Sequence, residues 1–241
     1  MIFLIQTIDG KIKHDFSFTL IESCDHQNWY NNDIVCQYIF SEQVTADSSL
    51  IPIGTVEFVI EYLKLHYNLV PKPKNIPIEL MTQEFTGRNV FNGTEKDILF
   101  DKHIKSNDKI KAEISFQNLL KGNYQISSII DIQSEWRAFV YKKQLVGLQN
   151  YSGDFDVFPD VSKIKLMIST YARAPIAYTL DVAISNHNTV IIEVHDFFSC
   201  GLYGFADYRI LPFMFSDWFT SFINSHGNNN IKTTITLKNC L

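Results

Sequence analysis

The chain has 241 residues and a formal net charge of −5 at pH 7, and its scattered basic residues argue against a nucleic-acid-binding surface. With 46% hydrophobic and 20% charged residues, the composition is that of a folded globular protein and not of a disordered chain. The N-terminal apolar run is too short for a signal peptide, no run approaches about 18 apolar residues, and the four cysteines lack zinc-site spacing, so we expect a cytoplasmic protein with reduced thiols and no membrane contact.

The first 45 residues predict a strand-rich segment. Three apolar runs are separated by polar or Asn-rich breaks: MIFLIQTI, DFSFTLIES and IVCQYIFSE. A helix is predicted at about residues 55–67, where apolar side chains recur on one face with a period of 3.6 residues: Val56, Val59, Ile60, Leu63 and Tyr67. Three prolines follow in NLVPKPKNIPIEL, and because proline blocks helix formation, this segment is predicted to link an N-terminal lobe to the rest.

From about residue 84, the pattern predicts short strands and turns. ILFDKHI and YQISSII are typical of strands, and EWRAFVY and QLVGLQNY flank a polar Lys142–Lys143 tip that indicates a hairpin. A helix is predicted at about 160–172, capped by Asp160 or Ser162, and a final helix at about 212–225. The pattern as a whole predicts an α+β protein of two lobes with mainly antiparallel sheet.

A second hairpin, YTLDVAI-SNHN-TVIIEVHD, carries the strongest chemical signal. If its turn centres between Asn186 and His187, Asp181 lies opposite Ile192 or Glu193. Side chains alternate along a strand, so Glu193 and His195 share a face, and one of the two registers adds Asp181 to it. Facing carboxylates among apolar neighbours favour a bound cation, with Mg²⁺ or Mn²⁺ suited to oxygen ligands. The alternative is a polar face that is simply solvated, with an ordinary histidine.

Two further segments carry residues suited to phosphate. In SEWRAFVY, Glu135 and Arg137 share one face of a strand, where the carboxylate can hold the guanidinium for a phosphate or form a structural ion pair. In ILFDKHI, Lys102 can reach a phosphate or extend to solvent.

The segment SCGLYG directly follows the second hairpin. Its two glycines indicate either a close backbone approach to a ligand or a sharp turn. Cys200 in this segment has no histidine and acid placed by the sequence to activate it, which argues against nucleophilic catalysis.

In their order along the chain, these segments resemble the ATP-grasp fold, and specifically a small divergent clade seen largely in bacteria and their viruses. This clade is distantly related to a eukaryotic ATP-grasp protein involved in assembling a translation initiation factor. The resemblance covers roughly residues 50–205, and the matching segments are IPIGTVEFV, FTGR (85–88), ILFDKH, SEWRAFVY, APIAYTLDVAI and TVIIEVHDFFSCGLYG.

The resemblance implies an ATP-grasp fold in which two α+β lobes with mainly antiparallel sheets clamp the nucleotide. It implies an N-terminal pre-grasp lobe at residues 1–70 and an ATP-grasp nucleotide-binding region at 71–241. Within that region, a small lobe is expected at about 84–127 and a large lobe at about 128–226.

The family pattern also implies roles for individual residues. Asp181, Glu193 and His195 are expected to hold Mg²⁺, with Mn²⁺ as the alternative. Arg137 is expected to be the catalytic residue at the γ-phosphate or acyl-phosphate. The other expected ATP-binding residues are Arg88 and Lys102 at the phosphates and, in the hinge at 127–130, Ser128 and Ile130 at the adenine.

The sequence departs from the family pattern in three places. His195 occupies a metal position that is usually Asn, which leaves open whether His195 or Asp196 completes the site, because imidazole is a poor Mg²⁺ ligand. The residue after Lys102 is not the usual proline, which leaves Lys105 as a rival. Ser128 stands where a carboxylate commonly binds the ribose.

The implied function is an ATP-dependent carboxylate–amine ligase that acts through an acyl-phosphate intermediate. Its partners are ATP, a carboxylate substrate and an amine acceptor, with a protein or peptide as one candidate acceptor. One alternative is an ATP-binding assembly or chaperone-like protein without ligase chemistry. Another is an interaction module whose second hairpin is only scaffold.

Overall fold

The computed structural model describes residues 1–94 and 122–226. Its strands form one parallel sheet of three strands, one antiparallel pair and one antiparallel sheet of four strands. The elements are β1 (Ile2–Gln6), α1 (Asp15–Asn31), β2 (Gln37–Ser41), β3 (Ile51–Ile53), α2 (Val56–Tyr67), a 3-10 turn (Ile78–Leu80), α3 (Gln83–Thr86), β4 (Val90–Thr94), β5 (Asn123–Ser127), β6 (Ser134–Tyr141), β7 (Gln144–Gly153), α4 (Val161–Thr170), β8 (Ala177–Ser185), β9 (Asn188–Asp196) and α5 (Leu211–His226). The predicted α+β class with mainly antiparallel sheet is confirmed.

The N-terminal part is built on a parallel sheet in the order β2-β1-β3. Strand β1 lies in the centre, and its residues Phe3, Leu4 and Ile5 are fully buried because a central parallel strand is covered on both faces. Parallel neighbours require a crossover connection, and α1 supplies the connection between β1 and β2.

Helix α1 corrects the strand predicted for DFSFTLIES. The alternation of Phe16, Phe18 and Leu20 with polar residues indicates a strand, but that prediction is wrong. Phe16 and Leu20 are buried while Phe18 is 57% exposed, so the buried positions follow the helical period and not the period of two. Phe18 is the exposed apolar residue that produces the misleading pattern.

Helix α2 lies where the sequence predicts a helix, but its buried face is rotated. Val59 and Leu63 are buried as expected, whereas Val56 is 43% exposed. Phe58 and Tyr62 take the place of Val56 in the core, because the larger aromatic side chains bury more apolar area.

The four-stranded antiparallel sheet has the order β7-β6-β8-β9, and both of its predicted hairpins are present. One face packs on α4 through a core that includes Trp136 and Leu180. The opposite face is divided along the strands. At one end Phe139 and Phe197 join the core of the N-terminal sheet and α5, and at the other end the same face carries the polar residues of the second hairpin.

The smaller pair, β4 and β5, is antiparallel, and β5 ends at Ser127 within the predicted YQISSII strand. The ILFDKHI segment, with Lys102 and Lys105, lies outside the described residues. The lobe boundaries at 1–70, 84–127 and 128–226 stay predictions. Within the described ranges, no helix is long and apolar enough to cross a membrane.

The structure separates the two candidate caps of α4. The Asp160 side chain accepts hydrogen bonds from the backbone N–H groups of Ser162 (2.8 Å) and Lys163 (3.3 Å). We expect Asp160→Ala to lower the free energy of unfolding by about 1 kcal/mol, because two N–H groups of the first turn lose their acceptor. Ser162→Ala is the matched control and should change it by less than about 0.5 kcal/mol. Urea denaturation measures both, and equal losses would contradict the assignment of the cap.

Candidate metal and nucleotide site

A β-bulge in the second hairpin brings the two candidate carboxylates to one face. From the turn, pairing runs in one register as far as Val182 with Ile191, and beyond the bulge Asp181 pairs with Glu193. Ile192 is the extra residue. Without it, Asp181 would pair with Ile192 and point to the opposite side of the sheet from Glu193. The bulge is therefore the local feature that makes the site.

The turn of this hairpin is tight and is centred between Asn186 and His187, as the sequence predicts. Both residues adopt left-handed backbone angles, with φ of 47° and 63°, and this is the conformation of a two-residue turn that matches the twist of paired strands. The turn fixes the register from which the bulge departs.

The three side chains predicted to bind a metal lie together. His195 Nε2 is 2.9 Å from Glu193 Oε1 and 4.0 Å from Asp181 Oδ2. One donor atom from each residue lies within 4.8 Å of the other two. The Asp181 side chain is 1% exposed, whereas about two-fifths of the Glu193 and His195 side chains is exposed. Two carboxylates and one imidazole at this spacing fit a divalent cation whose remaining positions face solvent.

Arg137 pairs with Asp181 and not with Glu135, which corrects one expectation from the sequence. The guanidinium donates to both carboxylate oxygens, from Nε to Oδ1 at 2.8 Å and from Nη2 to Oδ2 at 2.7 Å. The strand register explains the choice, because Arg137 and Asp181 are direct neighbours across β6 and β8. Both are more than 90% buried, so this is a buried, bidentate ion pair.

The loop at residues 199–204 covers the other side of Arg137. The Gly201 carbonyl accepts a hydrogen bond from Arg137 Nη1 at 3.1 Å. The guanidinium carbon lies 5.0 Å from the ring centre of Tyr203 and 5.7 Å from that of Tyr151. The two tyrosine rings stack on each other with their centres 5.1 Å apart. Arg137 is therefore fixed by a carboxylate, a carbonyl and two aromatic rings.

The N-terminal part holds this loop in place through Asp15, the first residue of α1. Asp15 Oδ2 accepts hydrogen bonds from the backbone N–H groups of Leu202 at 2.8 Å and Tyr203 at 3.2 Å. The sequence gives no signal for this contact, because the partners are nearly 190 residues apart and Asp15 by itself indicates only the start of a helix.

The comparisons with known proteins agree with this geometry. Residues 85–212, more than half of the chain, match the family model of an ATP-grasp domain, the second family of its clade. The chain belongs to this ATP-grasp family. The matched segment contains the four-stranded sheet and the loop over Arg137, so it includes every described candidate site residue.

Solved structures show the same fold. The ATP-grasp chain is similar to a RimK-domain ATP-grasp protein from Sphaerobacter thermophilus, with a TM-score of 0.55 and 10% identity over 91% of this chain and 100% of that one. It is also similar to D-alanine–D-alanine ligase from Bacillus anthracis complexed with ATP, with a TM-score of 0.51 and 10% identity over 94% and 98% of the two chains. A search of curated proteins found no match. At this identity the likeness concerns the fold alone.

Arg88, the first expected phosphate contact of the ATP-grasp domain, lies against the edge strand β9. Its Nη1 donates to the carbonyl of Ile191 at 2.8 Å and to that of Thr86 at 3.1 Å. Burial lowers the pKa of Arg88. Arg88 thus anchors the end of α3 beside the bulge, and its contact with a phosphate stays a prediction.

The expected hinge residues Ser128 and Ile130 lie in the extended segment between β5 and β6. The Ser128 N–H donates to the Asn89 carbonyl at 3.1 Å, which ties the hinge to the segment before β4. Their contact with adenine stays a prediction.

Asp196, the rival of His195, does not join the metal-binding group. It follows His195 on β9 and therefore points to the opposite side. Its carboxylate is buried and lies 3.6 Å from Lys74 Nζ. His195 is thus the third donor that the described residues of the ATP-grasp domain offer.

Cys200 is unsuited to nucleophilic catalysis in this environment. Burial raises the pKa of its thiol to about 12, so the thiol stays neutral near pH 7. The structure thus supports the expectation that the SCGLYG loop acts through its backbone and Tyr203.

Glu193 and His195 form an ion pair whose strength depends on pH. Their mutual hydrogen bond raises the pKa of His195 above its ordinary value of 6.5 and lowers that of Glu193 below 4.5. The histidine contribution is complete below pH 6.5 and disappears as the pH rises through its folded pKa. The glutamate contribution is complete above pH 4.5 and disappears as the pH falls through its folded pKa.

We therefore expect His195→Asn to destabilise the metal-free protein most between pH 4.5 and 6.5, the ordinary pKa values of the two groups. The loss should be at most about 0.5 kcal/mol, because both side chains are partly exposed and screened. Urea denaturation in EDTA at pH 4, 5.5 and 8 measures it. A difference between the two proteins that does not change with pH would contradict the ion pair.

Proposed function

We propose that the protein is an ATP-dependent carboxylate–amine ligase that acts through an acyl-phosphate intermediate, with Mg²⁺ or Mn²⁺ held by Asp181, Glu193 and His195. The observation that carries the proposal is the single sheet face that joins this metal-binding group to Arg137. The fold supports it, because one similar structure is a D-alanine–D-alanine ligase complexed with ATP.

In this proposal, the residues of the chain act by position and charge. Arg137, fixed on three sides, directs its remaining N–H groups to the γ-phosphate and later to the acyl-phosphate. Lys102 and Arg88 bind the other phosphates, and the hinge backbone at Ser128 and Ile130 binds the adenine. The metal neutralises phosphate charge when it is bound. The acceptor amine then displaces phosphate from the activated carboxylate.

One observation favours an ATP-binding assembly protein as the second candidate. Both oxygens of Asp181 accept hydrogen bonds from Arg137, so the candidate metal ligand and the candidate phosphate ligand occupy each other. A protein that binds nucleotide without turning it over can keep such a pair closed throughout its cycle.

The test combines a binding measurement with a turnover measurement. The protein is heated with ATP and either Mg²⁺ or Mn²⁺, and ADP is measured with pools of carboxylates and amines that include peptides. A ligase shows thermal stabilisation and acceptor-dependent ADP. Stabilisation without ADP in any pool would contradict ligase chemistry and support the assembly protein. Absence of stabilisation with either metal would contradict both and leave a scaffold hairpin.

A further inference from the structure

His195 is the donor that distinguishes this metal-binding group from one made of oxygen atoms. Its Nε2, and not only its ring edge, faces the two carboxylates, at 2.9 Å from Glu193 Oε1 and 4.0 Å from Asp181 Oδ2. The imidazole nitrogen therefore lies where a cation held by both carboxylates would meet it.

The backbone leaves little freedom in this placement. His195 is paired with Thr179 on β8, two positions along from the pair of Asp181 with Glu193, and lies on the same face. Asp196, which could have supplied oxygen instead, is held on the other side of the strand by Lys74 at 3.6 Å. Among the described residues, the third donor of the group is thus a nitrogen.

A nitrogen donor changes which cation fits best. Mg²⁺ prefers oxygen ligands in a strict octahedron and gives up its waters reluctantly, so it gains little from imidazole. Mn²⁺ accepts carboxylates and water as Mg²⁺ does, and it also binds imidazole. The partly exposed Glu193 and His195 leave room for water and phosphate oxygens, which suits a six-coordinate ion better than a closed tetrahedral zinc site.

We propose that His195 is a direct metal ligand and makes this site select Mn²⁺, or a first-row divalent ion of similar chemistry, over Mg²⁺. The inference rests on the metal site of the proposed function and adds the identity of the ion and the residue that selects it. The proposed ligase chemistry itself requires only that a divalent ion bind.

The experiment measures metal binding alone, without nucleotide or turnover. Full-length metal-free protein is titrated with Mn²⁺, free Mn²⁺ is followed by electron paramagnetic resonance, and Mg²⁺ is added as competitor. His195→Asn restores an oxygen donor at the same position. His187→Asn, at the exposed turn of the same hairpin, is the matched control. Circular dichroism checks that each variant is folded.

We expect His195→Asn to lower the preference for Mn²⁺ over Mg²⁺ by about tenfold, while His187→Asn leaves it unchanged. Pulsed measurements on bound Mn²⁺ should show coupling to an imidazole ¹⁴N nucleus that disappears in His195→Asn. Unchanged preference, or Mn²⁺ binding without the ¹⁴N coupling, would overturn the role of His195 and leave the ligase proposal standing. If neither ion binds any of the proteins, the metal site of the proposed function fails as well.

Discussion

Replacing Arg137 with methionine should lower the free energy of unfolding of the metal-free protein by about 3–5 kcal/mol. The substitution removes the guanidinium that donates to both oxygens of Asp181, whose side chain is 1% exposed. An unpaired carboxylate in that position loses its hydration without compensation. The variant also removes the donor to Gly201 and the cation between two tyrosine rings, which adds to the loss. Urea denaturation in EDTA measures it.

Two controls separate the buried charge from the loss of side-chain volume. Arg137→Met combined with Asp181→Leu should recover part of the stability, because no charge is then left buried. Arg209→Met breaks an exposed pair with Asp207 and should cost less than about 1 kcal/mol. If Arg137→Met cost no more than Arg209→Met, the pair with Asp181 would not be the buried interaction described above.

The same variant tests whether metal and arginine share Asp181. A divalent cation beside Asp181 Oδ2 supplies the positive charge that the variant lacks, so Mn²⁺ should stabilise Arg137→Met more than it stabilises the unmodified protein. An equal shift in both proteins would mean that the metal does not use Asp181.

The chemistry of the site is visible in the sequence, but its geometry is not. Alternation along β9 places Glu193 and His195 together without any structure. The position of Asp181 depends on one bulged residue, Ile192, and its side chain is apolar like those around it. The two registers predict opposite faces for Asp181, and no local pattern distinguishes them. Only the pairing of whole strands decides the register.

The partner of Arg137 illustrates the same limit. Glu135 is two residues away on one strand, and Asp181 is 44 residues away on the next. Local spacing favours Glu135, whereas the sheet places Asp181 directly opposite. The error at DFSFTLIES has a similar origin, because the crossover between β1 and β2 that requires a helix is a property of the sheet and not of the segment. Sequence patterns thus predict element types and residue roles better than they predict contacts between distant elements.

Glu193→Gln should reduce ADP formation by at least about 100-fold under conditions where the unmodified protein is active. The substitution removes one charged metal ligand and nearly preserves the shape of the side chain. Glu193 is a cleaner choice than Asp181, because its carboxylate is partly exposed and its loss leaves the buried pair of Asp181 with Arg137 intact. The free energy of unfolding should therefore change by less than about 1 kcal/mol.

Glu57→Gln, an exposed residue in the first turn of α2, provides the matched control and should leave ADP formation unchanged. Turnover is measured over a range of Mn²⁺ and Mg²⁺ concentrations, since a weakened metal site shifts the half-saturating metal concentration upward before it lowers the maximal rate. Full activity of Glu193→Gln at low metal concentration would remove Glu193 from the metal site. Because the bulge at Ile192 exists only to bring Asp181 to the side of Glu193 in this interpretation, that result would also leave the bulge without a functional reason.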